Sequence, residues 1–253
     1  MTLQWKMAAL GALGGAALSI AIVFGTAALG FFPAHVDGRQ VRAYLLKNPQ
    51  IFAEMQQRFA EQQESNADQA ERARQAAVDK AGLKTFFDPA VAYVTGPANA
   101  ATTFVEFYDY DCPFCRASQP VVKAFYQAHR SDAQFAFIEL PIPELHGPGA
   151  VTAANASLAA RRQGDKFVCF HFALMGESAA VTPQTIDADA AACGLDVAKL
   201  NADMADKAIE AARARARKLA ATVRFDGTPT FVIDGKVHSG QLDDDSLKEL
   251  TGG

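Results

Sequence analysis

Three short runs rich in Phe, Val and Ile stand out in a chain that otherwise follows helical periodicity. Residues 102–108, 134–140 and 230–237 have the length, apolar content and β-branched or aromatic bias of strands. Within the last, Asp234-Gly235 is a hairpin-turn pair. Residues 116–130 read as a helix after the first strand. Between the second and third strands almost everything is helical. Residues 147–164 are Ala-rich and 166–175 amphipathic, Thr182-Pro183 opens a helix stopped by Gly194, and Asp196 caps the next. That one runs into a basic helix ending before Phe225, and residues 243–250 form a closing helix. Strands at the two ends of the body with helices inserted between them predict an α/β fold.

The N-terminal third follows a different pattern. Residues 7–32 contain no charge, and as a helix they would span about 39 Å, enough to cross a membrane core of about 30 Å. A cleaved leader carries an apolar run of only about 7–15 residues. An uncleaved single-pass anchor is therefore expected over 1–34, with a small-x-small site at Gly25-Thr26-Ala27 leaving a cleaved form as the alternative. Lys6 flanks one side of the run and Arg39, Arg42 and Lys47 the other, which by charge count alone would keep the body inside the cell. Long domains translocate largely regardless of such charges.

Beyond the anchor, a Gln-, Glu- and Ala-rich helical stalk is expected over 35–87, restarting at Asn48-Pro49 as N-cap and N1. Val41, Leu45, Asn48, Phe52, Met55 and Phe59 alternate by four and three, a short heptad seam that turns polar at Gln62, Asn66 and Gln69. Such a helix buries little of itself. It is a tether, a homo-oligomerisation helix through 41–60, or both.

Composition narrows the function classes. The net charge of −4 and pI near 5.7 give no sign of nucleic-acid binding, and the basic residues of 207–224 are diluted by Asp203, Asp206 and Glu210 into a solvated helix face. Four cysteines are too few for a disulfide scaffold but suit one redox pair and one structural pair.

Cys112-Pro113-Phe114-Cys115 falls where the first strand gives way to a helix. Two cysteines at this spacing suggest a dithiol that cycles through a disulfide. The first would sit exposed at the helix N-terminus, where unpaired N–H groups favour the thiolate. The second, one turn on, could resolve a mixed disulfide. Half a zinc site is the alternative, but Cys169 and Cys193 are far apart in sequence and none of the five histidines forms a close pair, so no metal is expected. Far downstream, Gly227-Thr228-Pro229 places a proline at the mouth of the last strand, ordinarily a boundary marker.

Together these features resemble the DsbA family of thiol–disulfide oxidoreductases, and within it the N-terminally extended ScsC-like members. The resemblance runs from about Val41 to the C-terminus and rests on residues 104–112 (Phe-Val-Glu-Phe-Tyr-Asp-Tyr-Asp-Cys), the Thr-Pro loop, the order of the intervening helices and the segment 41–49. It implies a thioredoxin fold over 88–253 with a helical insertion at about 146–222. It also implies that Pro229 is cis and that Thr228 and Pro229 present backbone to an extended substrate peptide. Glu106 falls where the family keeps a buried acid that relays protons to the second cysteine.

The expected function is a membrane-tethered, periplasmic enzyme that forms or isomerises disulfides in exported cysteine-containing proteins, reset by a membrane redox partner and needing no cofactor. Cys112 would be the nucleophile and Cys115 the resolving thiol. Phe114, which brings no ionisable group, would make the pair less oxidising than one with Pro-His between its cysteines. A periplasmic location also suits Cys169 and Cys193. Each is a small hydrophobe on a helix, and in an oxidising compartment they pair if their Cα atoms come within about 7 Å. Two other classes remain: a copper-binding or copper-tolerance protein using the cysteines as soft ligands, and a peptide-binding holdase with incidental redox activity.

Overall fold

The computed structural model describes residues 37–252. The membrane anchor expected over 1–34 lies outside them. Among the described residues no helix is long and apolar enough to cross a membrane.

The chain divides into two units at Ser65. In the first, α1 (Gly38–Lys47) starts at Asp37, whose side chain accepts the Arg39 amide. Asn48 ends it, its Nδ2 donating to Tyr44 O at 2.8 Å. Asn48 was expected to cap the next helix. It caps the previous one instead: its backbone N–H and its Nδ2 both donate to Tyr44 O in the last turn of α1. Helix α2 (Gln50–Ala81) follows. The seam residues Phe52, Met55 and Phe59 are about two-thirds exposed in the single chain, and Val41 and Leu45 less so.

The second unit begins at Asn66 and so takes in the C-terminal part of α2, which the sequence pattern assigns to the stalk. Val78 of α2 and Phe86 of the 3-10 turn Leu83–Phe87 are buried in the core. Strands β1 (Tyr93–Thr95) and β2 (Thr102–Tyr108) precede α3 (Pro113–His129) and β3 (Ala133–Glu139). Six helices then run to the last strands: α4 (Pro143–His146), α5 (Gly149–Arg161), α6 (Lys166–Met175), α7 (Pro183–Ala192), α8 (Val197–Met204) and α9 (Lys207–Thr222). Strands β4 (Thr230–Ile233) and β5 (Lys236–Ser239) and helix α10 (Asp244–Thr251) close the unit. Asp234 and Gly235 both have positive φ, +49° and +81°, which gives β4 and β5 the two-residue turn expected of that pair.

The sheet order is β1-β3-β2-β4-β5, with β2 and β3 parallel and the other neighbours antiparallel. This is the thioredoxin-fold sheet with its helical insertion between β3 and β4. Strand alternation assigns the faces. Phe104 and Tyr108 of β2, Phe135 and Phe137 of β3 and Phe231 of β4 pack with α3 and the inserted helices. Val105, Phe107, Ala136, Ile138 and Val232 pack on the opposite face against Val78, Phe86 and Ala216 and Ala220 of α9. Glu106 shares parity with Phe104 and Tyr108, so its carboxyl is directed to the α3 face. In the insertion, Cys169 of α6 and Cys193 at the end of α7 are bonded, with Cα atoms 5.6 Å apart. The far edge of the sheet is covered by Gln75 of α2, whose Oε1 accepts the Val237 amide at 2.9 Å and whose Nε2 donates to Gly235 O at 2.8 Å.

Candidate functional site

The site forms where β2 ends. Residues 109–111 carry the chain from β2 to α3, and Cys112 is the N-cap of that helix, with Pro113 at N1. Pro113 suits the position because an N–H there would have no intrahelical partner. The Cys112 amide donates to Asp109 O at 3.1 Å. Across from it the peptide bond Thr228–Pro229 is cis, and the Cys112 thiol donates to Thr228 O at 3.1 Å. The loop covers the sulfur, and Cys112 as a whole is only 1% exposed. This corrects the expectation of an exposed nucleophile: a helix N-terminus alone would leave the thiol in solvent, but Thr228 lies over it. Cys115, one turn into α3, is fully buried. Neither cysteine is in a disulfide.

The two thiols are polarised in opposite directions. Cys112 is pushed down to about 5 from a free value of 9.0, chiefly by the hydrogen bond that the Cys115 thiol donates to it. Burial opposes this. The Thr228 hydroxyl and the amides of Cys115 and Phe114 reinforce it. The Thr228 carbonyl favours the protonated thiol, but it is outweighed by these donors. The Thr228 hydroxyl is buried with no hydrogen-bond partner while Cys112 is a thiol, so it is free to turn toward a thiolate. Burial, then donation to Cys112, pushes Cys115 well up. A reactive thiolate beside a protonated, shielded thiol is the asymmetry that ordered disulfide exchange needs.

Glu106 lies on the same side of the sheet, 2% exposed, and its Oε2 has no hydrogen-bond partner. Burial pushes its carboxyl up to about 8, and its charge, when present, raises Cys115 further. At neutral pH it therefore holds a proton within electrostatic reach of Cys115.

Two aspartates brace the loop ahead of Cys112. Asp109 accepts the amides of Asp111 at 3.0 Å and Ile142 at 2.8 Å, and His146 Nδ1 donates to it at 2.7 Å. Asp111 pairs with Arg116 at 2.9 Å and accepts the Val181 amide at 2.8 Å, tying the loop to the insertion. Cys112, Phe114, Ile142, Leu145, His146 and Thr228 line a groove of about 540 Å³. Phe114 and Leu145 are among its exposed apolar members, at 57% and 73%.

The fold thus brings Cys112, Pro113, Phe114, Cys115, Glu106, Thr228 and Pro229 to one place. Cys169 and Cys193 sit apart in the insertion, bonded to each other. Among the described residues, no three His, Cys, Asp or Glu side chains cluster to hold a metal ion. Asp109, Asp111, Arg116 and His146 were not singled out from the sequence. The two aspartates stand within the lead-in to Cys112 but carry no pattern of their own, and His146 ends a four-residue helix too short to read.

A thioredoxin family model matches residues 90–251. The N-terminal domain of the copper resistance protein ScsC matches residues 38–65. A thioredoxin-like oxidoreductase from Silicibacter pomeroyi DSS-3 is 35% identical, the match covering 68% of this chain and 96% of that one at a TM-score of 0.60. A linker-deleted ScsC mutant from Proteus mirabilis is 20% identical over 87% of this chain and 97% of that one, TM-score 0.60, and shares the fold. Among curated proteins, Na(+)/H(+) antiporter NhaA 3 of Salinispora tropica is 30% identical over 160 residues, 63% of this chain. The match spans only about a quarter of that antiporter's length, 24%.

Proposed function

We propose a function from one premise: the chain belongs to the thioredoxin family, and within it acts as a thiol–disulfide oxidoreductase of the DsbA and ScsC type. Its substrates are exported proteins whose cysteines it joins or reshuffles through Cys112 and Cys115. The observation that carries this reading is the Cys112 sulfur at the N-terminus of α3, 3.1 Å from the carbonyl of Thr228, with the protonated Cys115 one turn behind.

In the oxidising direction a substrate thiolate attacks Cys112 Sγ of the Cys112–Cys115 disulfide. The S–S bond breaks, and Cys115 leaves as a thiolate that takes the proton held by Glu106. A second substrate thiolate then attacks the substrate sulfur of the mixed disulfide, releasing Cys112 as the stabilised thiolate. Two electrons pass from substrate to enzyme. Thr228 and Pro229 bind the substrate backbone beside the sulfur, and Phe114 and Leu145 offer apolar contact along the groove. Isomerisation uses the reduced pair, with Cys112 attacking and Cys115 rescuing stalled adducts.

The bonded Cys169 and Cys193 favour an oxidising compartment, which supports a body that works in the periplasm, tethered by residues 1–34 and reset by a membrane redox partner. The exposed seam of 41–59 supports a homo-oligomer, which would let several sites face one substrate. Copper binding through the two thiols is the second reading, favoured by the ScsC match over 38–65. Cys112→Ser separates enzyme from holdase: an enzyme loses oxidation of a reduced client, whereas a binder keeps its clients. Thiol trapping in intact cells then reads the working redox state, with a mostly oxidised pair marking an oxidase and a reduced pair an isomerase.

A further inference from the structure

We infer that His146, oriented by Asp109, is the base that takes the proton from the incoming substrate thiol and returns it when exchange runs backward. The inference rests on the oxidoreductase reading and adds a group to its site. His146 closes the short helix α4, its side chain 13% exposed, and lines the same groove as Cys112, Phe114 and Thr228. Its Nδ1 is 2.7 Å from Asp109 Oδ2, and the Asp109 side chain is fully buried. A carboxylate only accepts, so this bond fixes the tautomer with the proton on Nδ1 and leaves Nε2 as the basic nitrogen. Asp109 is in turn held by the amides of Asp111 and Ile142, and its own carbonyl accepts the Cys112 amide. One residue thus sets the position of both the imidazole and the attacked sulfur.

The chemistry gives such a base work to do. Cys112 is activated by its surroundings, but a substrate thiol arrives with a free value of about 8.5 and is only about 3% thiolate at pH 7. In the step proposed, the substrate S–H proton passes to His146 Nε2 as the sulfur bonds to Cys112, the Cys112–Cys115 bond breaks, and Cys115 leaves with the electron pair as a thiolate that takes the Glu106 proton. The other titratable groups near the imidazole are Asp109 itself, Asp111, which is paired with Arg116, Cys112, which is locked in the disulfide at this step, and Glu144 on the same helix.

The test uses the full-length oxidised chain and two reductants, a dithiol peptide with ordinary cysteines and a thiol whose pKa lies below the assay pH. His146→Asn keeps an amide donor for Asp109 but has no basic nitrogen. The variant should oxidise the ordinary peptide about tenfold more slowly at pH 7, within a ceiling of about 30-fold set by the thiolate fraction. The deficit should vanish above about pH 9 and be absent with the acidic thiol. Equal loss with both thiols at every pH, or no loss, overturns the proposal. Wild type alone gives a second readout that needs no variant to fold: its rate on the ordinary peptide should fall less steeply from pH 9 to 7 than the peptide's thiolate fraction. A rate that tracks that fraction overturns the role of His146 while leaving the oxidoreductase reading intact. A chain that oxidises neither thiol overturns both.

Discussion

Replacing Glu106 with Gln removes a carboxyl that the fold holds at about 8 against 4.5 in its ordinary state. The cause is burial on the α3 face, with Oε2 unpartnered. In the unfolded chain this group ionises near 4.5, while in the folded chain it stays protonated until about 8. Its folded value is raised, so an acid of this kind destabilises progressively as pH climbs through that window and has no effect below it. At about 1.36 kcal/mol per pKa unit, the loss between pH 5 and pH 8 is about 3 kcal/mol. Glu106→Gln carries no such titration. In urea unfolding of the reduced proteins at pH 5 and pH 8, the variant should gain about 3 kcal/mol on wild type between the two. Any fixed effect of the amide cancels in that comparison. A stability difference that is flat with pH would mean that Glu106 is ionised in the fold. It would then hold no proton to give Cys115.

The alkylation rate of Cys112 should titrate near 5. Because its folded value is depressed, Cys112 should contribute stability that grows from pH 5 toward 9 and opposes the Glu106 loss, read as the difference in unfolding between the reduced protein and Cys112→Ser, whereas a titration near the free value would remove the nucleophile's physical basis. Replacing both Cys169 and Cys193 with Ala should lower stability by about 3 kcal/mol in chemical unfolding, since the bridge closes a loop with a separation of 24 residues. A chain starting at Asp37 should self-associate through Phe52, Met55 and Phe59, each worth roughly 1.5–3 kcal/mol when fully buried, while one starting at Asn66 should be monomeric by light scattering. Cutting at Asp88 instead would remove Val78 and Phe86 from the core and should destabilise the body.

The parts of the fold legible in sequence are those with strong local signals. The apolar runs of β2 and β3, the Asp234-Gly235 turn and the caps at Thr182 and Asp196 each have a local chemical cause that tertiary packing did not override. Strand β1 and helix α4 were missed because three and four residues are too few to show a period. Asn48 was read in the wrong direction because a capping amide between two helices serves either terminus equally well in sequence. The cysteine pair and the Thr-Pro loop were legible as motifs, but the cover that Thr228 places over Cys112 is a contact between residues 116 positions apart. The same holds for the 37-residue separation of Asp109 and His146.

Disulfide exchange at this site requires Cys112 to form the covalent link to client cysteines and Cys115 to resolve it. Cys115→Ser leaves the nucleophile but removes the resolving thiol, so mixed disulfides should accumulate in cells expressing the full-length chain. Mass spectrometry maps the cysteines joined in those adducts. The adducts expected are exported proteins joined through one of their cysteines to Cys112. Client adducts that are absent, or that persist when Cys112 is also replaced by Ser, would contradict it.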